Sequence, residues 1–133
     1  MTPIPVVTAL LIKDGKVLMC QRREDKSYPL VWEFPGGKVE SGETLMQALQ
    51  RELMEELVIT ISEAEQWFED VMTYSNGLTY HVTFFLVRKY EGDPVNTEFN
   101  EIGWFTAQEL DFIQQLSGNL NILEKIAEEG LPL

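Results

Sequence analysis

Apolar segments separated by turn-forming residues predict the first half of the sheet. Apolar residues run through 4–12 and again through Lys16–Gln21, and the Asp14-Gly15 pair between them is typical of a β-hairpin. A short apolar segment at 30–34 then ends at Pro35-Gly36-Gly37. Because two glycines after a proline allow conformations that other residues avoid, we expect the chain to turn sharply at Pro35-Gly36-Gly37.

The second half of the chain repeats this arrangement. Segments 68–74 and 78–88 are rich in aromatic and β-branched residues and flank Ser75-Asn76-Gly77, which predicts another hairpin. Residues 103–105, Gly-Trp-Phe, resemble the end of a short strand. We therefore expect several strands in each half of the chain.

Helix-start signals complete the predicted order. Thr44 and Gln47 have the spacing of a capping box before the strong helix formers of 44–57. Thr106 and Glu109 repeat that spacing, and 120–127 forms a last amphipathic segment. The order of elements predicts a mixed α and β fold.

Length and composition indicate a single globular unit. The chain has 133 residues, of which 44% are apolar and 24% charged, and it contains no repeat or low-complexity stretch, so we expect one domain over residues 1–133. No apolar run is long enough for a membrane span. The first five residues lack the basic segment of a secretory signal, and the single Cys20 cannot form an intramolecular disulfide. We therefore expect a cytoplasmic protein without a membrane partner.

The charge balance narrows the possible partners. A net charge of −12 argues against binding a nucleic acid duplex, which depends on clustered Lys and Arg. An acidic protein that handles phosphates would need metal cations between its own charges and those of its substrate. The relevant feature to seek is therefore a local cluster of carboxylates.

Such a cluster occurs on the first predicted helix. Glu52, Glu55 and Glu56 have i, i+3 and i+4 spacing and so lie on one helical face. A solvated acidic face is the ordinary interpretation of such a run. Glu56, however, falls between Leu45 and Leu49 in the stripe that should pack on the core, and a partly buried carboxylate beside two others is costly without a compensating positive charge. This placement favours a divalent cation.

The residues around this cluster resemble the Nudix hydrolase signature. In that pattern a Gly is followed after five residues by Glu, and after seven more by Arg-Glu-aliphatic-x-Glu-Glu-x-Gly-aliphatic. The matching positions are Gly37, Glu43, Arg51, Glu52, Leu53, Glu55, Glu56 and Ile59. Val58 stands where the family has Gly; because a β-branched residue is poorly suited to a left-handed cap, we expect the helix to end differently here, by running on or by passing directly into extended chain.

The resemblance extends over nearly the whole chain and is greatest to the MutT-like branch, the nucleoside triphosphate pyrophosphohydrolases. The further matching segments are 21–23, 32–38 and 90–94, with Glu98 and Asn119. This similarity implies the fold of the family, an α/β/α sandwich around a mixed β-sheet.

The resemblance also implies a metal site. Glu52, Glu55 and Glu56 would bind Mg²⁺ or Mn²⁺, with the carbonyl oxygen of Gly36 as a further ligand. Glu98 would be an additional metal-binding or catalytic acid from a loop, and the nearby Glu101 is a competing candidate for that role. The acids would support metal-assisted substitution at phosphorus without a covalent enzyme intermediate.

Individual roles follow from the same resemblance. Glu52 is the favoured residue for activating the attacking water, directly or through the metal, with Glu55 and Glu98 as further catalytic acids. Arg51 would orient a glutamate such as Glu43 by a charge-assisted hydrogen bond, which makes Glu43 structural.

Three residues are the candidates for nucleotide binding. By resemblance, Arg23 would hydrogen-bond the nucleotide, Phe34 would contact it through its ring, and Asn119 would read the base edge with its amide. Alternatives remain for each: Asn119 as a helix cap, Phe34 as a core residue, and Arg23 as a contact to phosphates only.

The resulting prediction is a Mg²⁺-dependent hydrolase acting on a small nucleotide, as a monomer or homodimer. It would convert 8-oxo-dGTP or another (d)NTP to the monophosphate and pyrophosphate, and so sanitise the nucleotide pool in the service of DNA repair. The alternatives are a Nudix hydrolase of another nucleoside diphosphate derivative, such as ADP-ribose, a nucleotide sugar or a cytidine nucleotide, and a catalytically silent nucleotide-binding domain.

Overall fold

The computed structural model describes residues 2–132, and two parallel strands form the centre of its sheet. These are β1 (Ile4–Lys13) and β6 (Thr79–Val87), which pair in register from Ile4 opposite Tyr80 to Leu11 opposite Val87. Both strands carry nearly continuous buried apolar runs, as expected of parallel strands that are covered on both faces.

The remaining strands are all antiparallel to their neighbours and complete a mixed sheet. The main order is β3-β2-β1-β6-β5, while β4 pairs with β1 and β7 with β2. Their bounds are β2 Lys16–Gln21, β3 Trp32–Glu33, β4 Gly36–Lys38, β5 Glu65–Thr73 and β7 Glu101–Phe105.

Two helices cover opposite faces of this sheet, α1 (Leu45–Leu57) and α2 (Leu120–Glu129). Alternate residues of β1 belong to two separate core clusters, as strand geometry requires. The cluster that includes Leu11 contains the buried face of α1, whereas the cluster that includes Leu10 contains Ile122 and Ile126 of α2. The architecture is therefore the predicted α/β/α sandwich.

The hairpin turn and the helix caps that local sequence signals predict are confirmed. Asp14 and Gly15 both have positive φ, 53° and 75°, as the favoured two-residue hairpin turn requires. The Thr44 capping box is complete, with Gln47 N donating to Thr44 Oγ1 at 3.1 Å and Thr44 N donating to Gln47 Oε1 at 2.9 Å. The second box, Thr106 with Glu109, also forms, but it begins only a short 3-10 helix, Glu109–Phe112.

The sharp turn expected at Pro35-Gly36-Gly37 is confirmed at Pro35 but not at the two glycines. The chain bends at Pro35, and Gly36 and Gly37 belong to β4, which pairs with Val6–Thr8 of β1. A Cβ on Gly36, whose φ is 151°, would collide with the carbonyl oxygen of Val7. Glycine is needed here because two backbones approach closely.

The expected end of α1 is also wrong. Val58 takes the left-handed conformation itself, with φ 56° and ψ 41°, and its N–H donates to Met54 O at 3.1 Å. A β-branched residue thus occupies the conformation that glycine adopts more easily. Among residues 2–132, no helix is long and apolar enough to cross a bilayer.

Candidate active site

Glu56 lies at the most buried point of the acidic face of α1. The residue is 7% exposed, and its Oε1 accepts a hydrogen bond of 3.0 Å from the backbone N–H of Gly36. Burial raises the pKa of Glu56 to about 9, and the charge of Glu52 adds to this shift. The helix therefore holds a carboxyl group that ionises at neutral pH only if positive charge is supplied nearby.

Glu52 lies one helical turn earlier and packs against β4. A Cβ on Gly37 would collide with the Glu52 carboxyl group, so a glycine at this position leaves room for the acid. Burial raises the pKa of Glu52, and the opposing effect of Arg51, which donates from Nη1 to Oε1 at 2.9 Å, is smaller. Glu55 is about half exposed, and its Oε2 is 3.5 Å from Arg51 Nη1.

The predicted contact between Arg51 and Glu43 is confirmed. Arg51 donates from Nε to Glu43 Oε2 at 2.7 Å and from Nη2 to Glu43 Oε1 at 3.0 Å. This pair lowers the pKa of Glu43 and raises that of Arg51. Arg51 also donates to the carbonyl of Lys38, which joins α1 to the end of β4.

The loop before β7 brings Glu98 toward the helix. Thr97 Oγ1 donates to the carbonyl oxygens of Glu55 and Glu56, at 2.7 and 3.0 Å, and so attaches the loop to the last turn of α1. The charge of Glu98 contributes to the raised pKa values of both Glu52 and Glu56. Glu101 is in β7, opposite Gln21, which favours Glu98 as the loop acid.

The three helix acids share a face, but their carboxylates are not drawn together. Within residues 2–132, no three His, Cys, Asp or Glu side chains are close enough to hold a metal ion. The side-chain contacts explain why, since Glu52 is turned to Arg51 and Glu56 to the N–H of Gly36. The donor set still fits a hard divalent cation, because it offers only oxygen atoms and includes a buried carboxyl group whose charge a cation would offset.

A cavity of about 230 Å³ opens beside β4 and contains two of the predicted nucleotide-binding residues. Phe34 and Asn119 border it and are both buried, with 5% of each exposed. Phe34 also packs edge-to-face on Phe84, so it is a core residue as well as a cavity wall. Asn119 occupies the N-cap position of α2, as its alternative role as a helix cap requires, but its side chain makes no capping hydrogen bond.

Arg23, the third candidate, borders a neighbouring groove and not the cavity. This groove also contains Lys26, Glu56 and Glu98, and Arg23 is about half exposed, with Nε 3.4 Å from Asp25. Its position agrees with the alternative in which Arg23 contacts phosphates only.

The cavity and the groove share one wall, formed by Arg22, Glu33 and Gly36. Arg22 Nη1 donates to both carboxylate oxygens of Glu33, at 3.1 and 3.0 Å, and burial nevertheless raises the pKa of Glu33. The cavity with Asn119 thus adjoins the groove that contains Glu56 and Glu98.

Several residues of this region were not predicted from the sequence. Thr97 attaches the loop of Glu98, and Gln115 contacts Asn119. No spacing or composition signal marks these two residues, because their roles depend on side-chain contacts that form only in the folded chain.

Comparisons with known proteins agree with this geometry. Residues 2–126 match the family model of the NUDIX domain. The chain is 34% identical over 115 residues to the 8-oxo-dGTP diphosphatase of Haemophilus influenzae, covering 86% of this chain and 84% of that protein. It is 35% identical over 109 residues to the CTP pyrophosphohydrolase of Escherichia coli, covering 82% and 80%.

The fold has a close structural counterpart. The solution structure of the Escherichia coli ORF135 protein superposes with a TM-score of 0.85 at 31% identity, covering 96% of this chain and 91% of that one. The protein belongs to the Nudix family of hydrolases. Nudix hydrolases generally use divalent metal ions, in agreement with the oxygen donors collected on α1.

Proposed function

We propose that this protein hydrolyses a nucleoside triphosphate, 8-oxo-dGTP or another (d)NTP, to the nucleoside monophosphate and pyrophosphate. It would act in the cytoplasm as one domain over residues 1–133, as a monomer or homodimer, and sanitise the nucleotide pool. The two relatives named above carry out related chemistry, one on 8-oxo-dGTP and one on CTP, according to their names.

The observation that carries the proposal is the shared wall between the cavity and the acidic groove. A nucleotide has an aromatic base at one end and a chain of phosphates at the other. The cavity, with Phe34 and Asn119, suits the base. The groove suits the phosphates because it contains Arg23 and Lys26, and because a cation held by the acids would separate their charges from those of the phosphates. One molecule spanning both would pass the wall formed by Arg22, Glu33 and Gly36.

The catalytic residues proposed are Glu52, Glu55, Glu98 and Arg51. Glu52 accepts a proton from the attacking water, and Arg51 holds the Glu52 carboxylate through its 2.9 Å contact. Arg23 donates hydrogen bonds to the phosphates.

Mg²⁺ or Mn²⁺ is the proposed cofactor. The residues that would hold it are Glu52, Glu55, Glu56 and Glu98, with the carbonyl oxygen of Gly36. When bound, the cation would offset charge on the phosphates and lower the pKa of a water molecule.

A second candidate substrate is a cytidine nucleotide, favoured by the 35% identity to a CTP pyrophosphohydrolase.

The proposal is tested by measuring pyrophosphate and phosphate release with Mg²⁺ over a substrate panel. The panel contains dGTP, 8-oxo-dGTP, dCTP, 5-methyl-dCTP, CTP, ADP-ribose and nucleotide sugars. Glu52→Gln should abolish turnover, and Glu128→Gln, on the exposed face of α2, is the matched control that should not.

Pyrophosphate from one triphosphate supports the proposal and identifies the base. Turnover of only ADP-ribose or a nucleotide sugar would retain a Nudix hydrolase but reject triphosphate specificity. Nucleotide binding without turnover across the whole panel would reject the enzyme in favour of a silent binding domain.

A further inference from the structure

The carbonyl groups at the end of α1 are not satisfied by the residues that directly follow the helix. The last four carbonyls of an α-helix have no partner within the helix itself. Of these four, the carbonyl of Met54 accepts a hydrogen bond from the N–H of Val58 at 3.1 Å. The carbonyls of Glu55, Glu56 and Leu57 receive their partners from a distant loop.

The loop before β7 supplies all three partners. Val95 N donates to Leu57 O at 2.8 Å, and Thr97 N donates to Glu56 O at 3.3 Å. The hydroxyl of Thr97 donates to the carbonyls of Glu55 and Glu56 in a bifurcated bond, at 2.7 and 3.0 Å. Thr97 is itself exposed, so it attaches the loop through these bonds and not through burial of its side chain.

A second set of bonds fixes the conformation of the loop. Asn96 Oδ1 accepts from the N–H of Phe99, and Asn96 Nδ2 donates to the carbonyl of Phe99, both at 2.8 Å. These two bonds close a turn around Thr97 and Glu98, and Phe99 packs against the core cluster that contains the buried face of α1. Because the turn is closed, the attachment of Thr97 to α1 determines where Glu98 lies.

We infer that Thr97 is a positioning residue that holds the loop acid Glu98 beside the helix acids, so that acids from two distant segments form one divalent-cation site. The carbonyls that Thr97 binds belong to Glu55 and Glu56, so its hydroxyl joins the loop to the same turn that carries the helix acids. Glu56, Thr97 and Glu98 border the same groove. The inference rests on the proposed function, because it takes Glu98 as a ligand of the cation.

Mn²⁺ binding to the nucleotide-free protein tests this role without turnover. Thr97→Val removes the hydroxyl and keeps the shape of the side chain. We expect the dissociation constant for Mn²⁺, measured by the paramagnetic resonance of the free ion, to rise by about tenfold, as is typical when a residue that orients a metal ligand is lost. Thr97→Ser retains the hydroxyl and should restore the affinity. Thr60→Val, which replaces another exposed threonine, is the matched control and should leave the affinity unchanged.

A double variant separates the positioning of Glu98 from any other effect of Thr97. Glu98→Gln should itself weaken Mn²⁺ binding. If Thr97 acts through Glu98, adding Thr97→Val to Glu98→Gln should not raise the dissociation constant further, because the effects of coupled residues are not additive. A further rise comparable with that of Thr97→Val alone would place the effect in α1 and overturn the inference. Unchanged Mn²⁺ affinity in either single variant would also overturn it.

Amide hydrogen exchange in EDTA measures the attachment of the loop in the absence of metal. Thr97→Val should accelerate exchange of the backbone amides at positions 95 and 97, which donate to α1, through local opening of the loop. Exchange at Leu53, in the buried part of α1, should stay unchanged. An equal acceleration at all three positions would indicate general destabilisation and reject the positioning role, as would no acceleration at positions 95 and 97.

These measurements distinguish failure of this inference from failure of the proposed function. If no member of the substrate panel is hydrolysed, the proposed function fails, while weaker Mn²⁺ binding by Thr97→Val that depends on Glu98 still sustains the role of Thr97. If a triphosphate is hydrolysed but Thr97→Val binds Mn²⁺ as tightly as the unaltered protein, the proposed function stands and the inference is rejected.

Discussion

Arg51 and Glu43 form a two-pronged ion pair, with Nε to Oε2 at 2.7 Å and Nη2 to Oε1 at 3.0 Å. The same guanidinium donates from Nη1 to Glu52 at 2.9 Å. Glu43, which does not border the groove, therefore holds Arg51 in the position from which it contacts Glu52. Glu43 is held in turn by the backbone N–H of Glu40 at 2.8 Å. The pair therefore controls the direction in which Glu52 points.

Replacing Arg51 should lower the affinity for Mg²⁺ more than the affinity for the substrate. Arg51→Lys cannot make both contacts to Glu43 while holding Glu52, because an ammonium group lacks the planar fork of a guanidinium. Changes to residues that orient metal ligands typically cost about 10–100-fold in metal affinity or activity. We expect the Mg²⁺ concentration for half-maximal activity to rise by about that factor. Arg88→Lys, at the position directly after β6, is the control. An unchanged Mg²⁺ titration for Arg51→Lys would contradict this role.

Glu56 should make stability fall as the pH rises. Its pKa is raised from an ordinary 4.5 to about 9 by burial, so the folded protein keeps a proton that the unfolded chain loses. The contribution of this proton to the free energy of unfolding is fully present below pH 4.5. It is lost as the pH rises toward 9, by at most about 1.4 kcal/mol per pH unit. Urea unfolding in EDTA at pH 6 and pH 8.5 measures the loss.

Glu56→Gln is the comparison for this prediction. The amide does not ionise, and it retains an oxygen for the N–H of Gly36, so its unfolding free energy should decline less between the two pH values. Glu33 and Glu52 also have raised pKa values, so they too lower stability as the pH rises. The effect of Glu56 is therefore the difference in pH dependence between the unaltered protein and Glu56→Gln. Parallel pH curves for the two proteins would rule out the assigned cause.

Replacing Val58 by glycine should stabilise the protein. A left-handed conformation costs a residue with a Cβ about 1–2 kcal/mol, and glycine avoids most of that cost but gains freedom in the unfolded chain. Val58→Gly should raise the free energy of unfolding by about 1 kcal/mol, measured by urea denaturation. Val95 is similarly exposed but has no positive φ, so Val95→Gly should destabilise the protein. A loss of stability in Val58→Gly would show that its side chain contributes more than its backbone costs.

Gly118 should be required for the shape of the cavity. A Cβ there would collide with the hydroxyl of Tyr74 and lie 2.7 Å from Met72 Sδ. Gly118→Ala should therefore displace Tyr74 and raise KM by about tenfold, an order of magnitude typical of misplaced positioning groups. Adding Tyr74→Phe removes the colliding oxygen and should recover part of the loss. No recovery in the double variant would place the effect elsewhere.

Much of the framework was predictable because its signals are local. The Asp14-Gly15 turn and the Thr44 capping box depend on residues within a few positions of one another, and both form as expected. The spacing of Glu52, Glu55 and Glu56 likewise placed three acids on one helical face without any knowledge of the fold. The signature around them was sufficient to identify the family.

Other features depended on distant elements and could not be predicted. Gly36 and Gly37 looked like a turn, but they are glycines because β1 and Glu52 approach them in space. Val58 looked unsuited to a left-handed cap, yet the packed loop around Thr97 and Val95 bonds to the carbonyls of the last turn and holds the helix end. In both cases tertiary contacts outweighed the local preference.

The sequence by itself determined the order of the longer strands and helices, the acidic face of α1 and the family, because each depends on residue spacing along one segment. Only the tertiary structure decided which side-chain atoms at the cavity remain available to hydrogen-bond a ligand. The amide of Asn119 is oriented by Gln115 and by Trp32, which is 87 positions away, and Arg22 is directed to Glu33 across a strand pair. Hydrogen bonds are directional and consume donors and acceptors, so the polarity that a cavity offers to its ligand exists only after the chain has folded.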